Sequence, residues 1–164
     1  MELYIKNKWV SLGGSSTVQD AEGNDVFLVK GKVFSFTGKK TLTDPQGEVR
    51  YIIRNKFWHF LAYRGFILDP QENVVATIKR KAFSLHDSFT ITSSLGEIQI
   101  IGNILEFNYR VTLNGNEIGH VARKISLRDS YVLTVESGID PAFMTALVIA
   151  IDNINDRKKS ESVN

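Results

Sequence analysis

Cysteine is absent from the 164 residues. That excludes disulfides, thiolate nucleophiles and thiolate metal centres, and makes a reducing cytoplasm the natural setting. Proline occurs three times, each time after an aspartate: Asp44-Pro45, Asp69-Pro70 and Asp140-Pro141. Formal net charge is only +2, too small to imply nucleic acid as a partner, and no base-reading motif accompanies it. The N-terminus, MELYIKNKWVSLGG, lacks the apolar core of a signal peptide. His59, His86 and His120 are scattered without metal-ligand spacing. There is no Gly-x-Ser-x-Gly elbow. Ser84, His86 and Asp87 are too close in sequence to form a triad within one strand. Gly13-Gly-Ser-Ser-Thr17 lacks the lysine and following helix of a phosphate-binding loop and reads as a turn. These absences argue against an enzyme and against any cofactor.

One long apolar run is present, residues 142–151, with only Thr145 interrupting it. Asp140-Pro141 suits a helix start, since Asp can cap free N–H groups and Pro fits the first helical position. At 100° per residue the run is apolar on every face, so such a helix must be enclosed. A bilayer span needs roughly 20 apolar residues, and this run stops at Asp152. The enclosure must therefore come from the preceding chain. Asp152 and Asp156, one turn apart, read as a solvated helix end.

The preceding chain repeats itself. Lys6-Asn-Lys-Trp-Val-Ser-Leu12, Lys30-Gly-Lys-Val-Phe-Ser-Phe36, Arg54-Asn-Lys-Phe-Trp-His-Phe60 and Lys79-Arg-Lys-Ala-Phe-Ser-Leu85 align, with a shorter copy at Arg123-Lys-Ile-Ser-Leu127. Asn103 to Tyr109 is a candidate sixth copy without the basic pair. About half a period after each copy comes a turn signal, as in Asp20-Ala-Glu-Gly-Asn24, Asp44-Pro-Gln-Gly47, Asp69-Pro-Gln-Glu-Asn73 and Asn114-Gly-Asn116. Between the marks lie short β-rich runs, several alternating apolar with polar.

Six units of two strands predict about twelve antiparallel strands in a meander. An open sheet of that size leaves two edges, and closure removes them. A closed barrel so wide cannot be filled by side chains alone, and the C-terminal helix is the element available to fill it. The predicted fold is mainly β: a closed antiparallel barrel of about twelve strands around a central apolar helix at 141–154. One domain is expected over 1–156, then a basic, frayed tail over 157–164.

Gly23-Asn-Asp-Val-Phe-Leu-Val-Lys-Gly-Lys-Val-Phe-Ser-Phe36, Lys79-Arg-Lys-Ala-Phe-Ser-Leu85 and the closing helix together resemble the LURP-one-related family. That family belongs to the wider tubby C-terminal-like group, which includes the phospholipid scramblases. The likeness runs from about Leu3 to Ile154. It implies the barrel-and-helix fold, and phosphoinositide or phospholipid engagement rather than a shared reaction. Neither the tubby phosphoinositide site nor the scramblase calcium site matches residue by residue, so no residues are carried over from them.

An up-and-down meander sends successive turns to alternate ends. The Asp/Gly turns then share one end and the Lys-x-Lys segments the other. The basic end would gather Lys6, Lys8, Lys30, Lys32, Arg54, Lys56, Lys79, Arg80, Lys81, Arg123 and Lys124, 11 of the 20 basic residues. The other would gather 10 of the 18 acidic ones, among them Asp20, Asp44, Asp69 and Glu72. The candidate ligand-binding residues for an anion are Lys30, Lys32, Arg54, Lys56, Lys79, Arg80, Lys81, Arg123 and Lys124. The partner they suit is an anionic membrane lipid, with the protein cytoplasmic and peripheral at the membrane. The alternative is a protein-interaction scaffold in which strand-end lysines merely block edge pairing. Oligomeric state is left open. Aromatic residues beside the basic pairs (Trp9, Phe34, Phe36, Phe57, Trp58, Phe60, Phe83) are either core or a membrane-facing belt; alternation sends about half of them inward, and core packing is the favoured role.

Overall fold

The computed structural model describes residues 1–6, 15–31, 39–57, 63–80, 89–124 and 130–161, with backbone alone for residues 6, 15, 56, 57, 63, 130 and 155–161. Among the described residues, twelve strands precede one helix. They are β1 (Glu2–Lys6), β2 (Ser15–Gln19), β3 (Asp25–Gly31), β4 (Lys40–Thr43), β5 (Val49–Phe57), β6 (Tyr63–Leu68), β7 (Val74–Arg80), β8 (Phe89–Ser93), β9 (Gly96–Asn103), β10 (Asn108–Leu113), β11 (Asn116–Arg123) and β12 (Ser130–Val135). Helix α1 covers Pro141–Glu161.

Each strand pairs antiparallel with its sequence neighbours, and β1 pairs with β12, so the sheet closes without a crossover. The closing seam runs from Glu2↔Thr134 to Lys6↔Ser130. It is extended by the Met1 ammonium donating to the Val135 carbonyl at 2.8 Å. Closure leaves no edge for another chain to pair with.

Strand alternation puts one set of side chains inside. In β3, Phe27 and Val29 are buried while Asp25 and Lys30 are exposed; in β7, Ala76 and Ile78 are buried while Val74 and Lys79 are exposed. The inside of the barrel is α1. All residues from Ala142 to Ile154 are buried, and Met144 to Ala150 are 0% exposed. Seven consecutive residues cover the full circumference of a helix, so this burial requires protein on every side. Opposite walls meet the helix. Phe143 packs edge-on against Tyr51 of β5, ring centroids 6.0 Å apart, while a Cβ added at Gly119 of β11 would come within 2.9 Å of Met144 Cε. An added Cβ would also run into the Thr134 backbone carbonyl of β12, which cannot give way as a methionine tip can, so Gly119 is needed for close approach. Thr145, the one polar residue of the run, donates its hydroxyl to the Pro141 carbonyl at 2.8 Å, satisfying itself within the helix.

The helical backbone continues to Glu161, beyond the boundary at Ile154 that the apolar run indicates. Asp152 also departs from expectation. It is only 4% exposed, and burial continues through Asn153 to Ile154, three residues past the apolar run, so Asp152 is not at a solvated end. The reason is depth: the sleeve of strands is longer than the apolar run it surrounds.

Candidate functional site

The Asp-type and Gly-type turns share one end of the barrel. Three of them are built alike. Asp20, Asp44 and Asp69 each accept, through Oδ1, the backbone N–H four residues on, at 2.8, 2.9 and 2.8 Å. The fourth residue of each turn is left-handed: Gly23 (φ 85), Gly47 (φ 90) and Glu72 (φ 65). Two of these aspartates, Asp20 and Asp69, also hold Asn24 and Asn73 Nδ2 at 3.0 and 2.9 Å. Those side-chain bonds, chiefly, lower their pKa below the usual 3.8. Helix α1 enters at this end. Asp140 accepts from the Ala142 N–H at 2.9 Å through Oδ1, an N-cap, and from the Tyr51 hydroxyl at 2.8 Å through Oδ2. Burial, then the Asp140 bond, pushes the Tyr51 phenol far above its ordinary value.

The opposite end receives the ends of the strands that carry the basic segments. Lys30 is next to last in β3 and Lys79 next to last in β7, both exposed. Arg80 and Arg123 close β7 and β11, half-buried and exposed respectively. Lys124 follows β11 and sits 4.2 Å above the Tyr4 ring, a cation–π contact that orients it at the rim. The backbone of Lys56 lies in β5 at the same end. Lys32 and Lys81 lie outside the described residues, as do Lys8, His59, His86, Trp9, Phe34, Phe36, Trp58, Phe60 and Phe83.

Arg54 behaves differently. It stands mid-strand in β5, and its Nη2 donates to Glu72 Oε1. Lys39 Nζ lies 3.7 Å from the same oxygen. Glu72 belongs to the acidic turn after β6, so this carboxylate reaches back along the outer wall and takes up both cations. Both partners of the Arg54 pair are about a third or more exposed, so the pair is worth well under about 1 kcal/mol.

Around the exit of α1 the interior becomes polar. Asn55, Asp152 and Asn153 are 3%, 4% and 8% exposed. Asn55 Oδ1 and Asn153 Nδ2 have no hydrogen-bond partner among the described residues. Tyr109 of β10 is fully buried, and burial, then the charge of Asp152, raises its pKa strongly. None of these groups announces itself in the sequence, because each is an ordinary polar residue whose depth depends on where the barrel ends.

A second feature was not visible in the sequence. On the outer wall, Arg110, Glu117 and His120 border an open hollow of about 470 Å³ with Ile101 and Asn108. Glu117 lies 3.4 Å from His120 Nδ1 and 3.8 Å from Arg110 Nη1. Its carboxylate already faces both side chains, and the hollow is open to solvent. Among the described residues no group of three or more His, Asp or Glu side chains is placed to hold a metal ion. No described helix is long and apolar enough to cross a membrane.

The fold so defined is a closed twelve-stranded barrel plugged by its own last helix. The sequence model of the LURP-one-related proteins matches residues 1–152, and the chain belongs to that family. A crystal structure of a protein from Arabidopsis thaliana is similar over 94% of this chain and 90% of that one, with 22% identity and a TM-score of 0.68, which bears on the fold. Comparison with curated protein sequences returned no relative.

Proposed function

We propose that the protein is a non-enzymatic cytoplasmic module that engages anionic phospholipid headgroups at a membrane surface through the basic end of its barrel. The observation that carries this reading is the uncrossed meander. With that order, strands ending in Lys30, Lys79, Arg80 and Arg123 finish together, away from the turns of Asp20, Asp44 and Asp69. At roughly 3.3 Å rise per residue and a tilt of about 40°, the seven or eight residues of β3, β7 and β11 separate the two ends by roughly 18–20 Å. That exceeds the screening length of about 8 Å at physiological salt, so the acidic turns do not cancel the basic rim. Each cation near an anionic leaflet contributes on the order of 1 kcal/mol. Four or five acting together give weak, salt-sensitive attachment.

The test is co-sedimentation with vesicles. The protein should pellet with phosphatidylserine-containing vesicles at low salt, release as salt rises, and ignore pure phosphatidylcholine. Equal pelleting with both vesicle types, or with neither, would contradict the proposal. Salt-insensitive capture of a single polypeptide would favour the scaffold alternative.

A further inference from the structure

The end of the barrel that carries the basic residues also carries a rigid turn with an apolar tip. It joins β9 to β10 through Ile104, Leu105, Glu106 and Phe107. The Phe107 N–H donates to the Ile104 carbonyl at 3.2 Å, and the Glu106 N–H donates to Asn103 Oδ1 at 3.2 Å. Phe107 is left-handed (φ 52), an uncommon state for an aromatic residue. Its ring stacks on Tyr131 of β12 at 4.6 Å with the planes 13° apart. Ile104 turns inward and is 4% exposed. Two anchored apolar side chains thus flank Leu105, which is left 48% exposed.

One exposed leucine on a protein surface needs no explanation. Here its neighbours supply one. The β10–β11 register pairs Tyr109 with Val121, and continuing it two residues brings Phe107 level with Arg123. The turn therefore lies next to the strand end that carries Arg123 and Lys124, with Leu105 as its most exposed apolar side chain. Glu106 is the acidic residue in the same turn. An apolar tip backed by cations suits shallow entry into the headgroup–acyl boundary, where apolar burial and attraction to anionic lipid add together.

We propose that Leu105 inserts into an anionic bilayer when the basic end docks, so that the β9–β10 turn is a membrane-entering finger. This rests on the reading of the basic end given above and assigns the orientation of the bound protein. The molecule supplies its own control. Leu95, at the tip of the β8–β9 hairpin among the tight turns, is 56% exposed, and by this proposal it stays in water.

Because the chain has no cysteine, Leu105→Cys and Leu95→Cys each give one attachment point for an environment-sensitive fluorophore. With phosphatidylserine-containing vesicles, the label at 105 should shift to the blue and be quenched by acyl-chain-attached quenchers. The label at 95 should do neither. Unlabelled Leu105→Ala should bind these vesicles roughly three- to tenfold more weakly, with its circular dichroism unchanged. A silent label at 105, with wild type still pelleting, overturns the finger and leaves the basic-end reading standing. A response at 95 instead overturns the orientation. Failure of wild type to pellet overturns both.

Discussion

The two ends of this barrel handle polar groups in opposite ways. At the helix entry most polar groups are answered: Asp140 caps Ala142 and receives Tyr51, and three aspartates satisfy the turns they open, with the buried Thr112 hydroxyl of β10 the exception among the described residues. At the helix exit, Asn55 and Asn153 are buried with amide atoms that have no described partner, and burial, then the charge of Asp152, raises the Tyr109 phenol. One end is built for stability. The other tolerates buried polarity that an apolar replacement would avoid.

The contrast depends first on the helix staying inside. Leu147 is 0% exposed. Leu147→Asp puts an unpaired carboxylate in the wall-enclosed core at a cost of several kcal/mol, against a total stability of roughly 5–15 kcal/mol. The expected outcome is loss of soluble folded protein. A monomeric variant with wild-type circular dichroism would mean that the helix lies outside.

A pair of milder substitutions compares the ends directly. Tyr51→Phe removes the entry bond to Asp140 and should cost about 1–2 kcal/mol in denaturant melts. Asn153→Leu, nearly equal in shape, removes an unpartnered buried amide at the exit and should raise stability by up to about 1 kcal/mol. If both destabilise alike, the ends do not differ in the way described. The phenols add a pH signature. Tyr51 has its folded-state pKa raised above the ordinary 10.0, and Tyr109 likewise. The folded state therefore holds more protons than the unfolded one above about pH 10, and stability falls as pH rises through that range. Tyr51→Phe should make that alkaline decline shallower.

The barrel was legible because its signals are local and repeated. Alternation within β3 and β7 and the recurring Asp turns fix strand number and order, and closure follows from the need to cover edges. The helix was legible because residues 142–151 are apolar on every face. What stayed hidden depends on distances between remote residues. Tyr51 and Asp140 are 89 positions apart. The burial of Asp152 depends on how far the sleeve extends. Arg54 reads as a rim residue in its Arg-x-Lys segment, yet Glu72, a left-handed residue where the other two turns have glycine, carries its carboxylate back to it. The finger at Leu105 lies in the copy that lacks the basic pair, where the sequence offered no charge to notice.

The most direct measurement compares two double variants of equal net charge in vesicle sedimentation. Lys30→Glu with Lys79→Glu reverses two exposed cations at the basic end. Arg50→Glu with Arg110→Glu reverses two exposed cations near the acidic end and on the mid-wall. The account predicts that the first pair loses binding to phosphatidylserine vesicles by roughly tenfold or more, while the second stays within about twofold of wild type. Equal losses from the two pairs would mean that overall charge, not one end of the barrel, governs attachment.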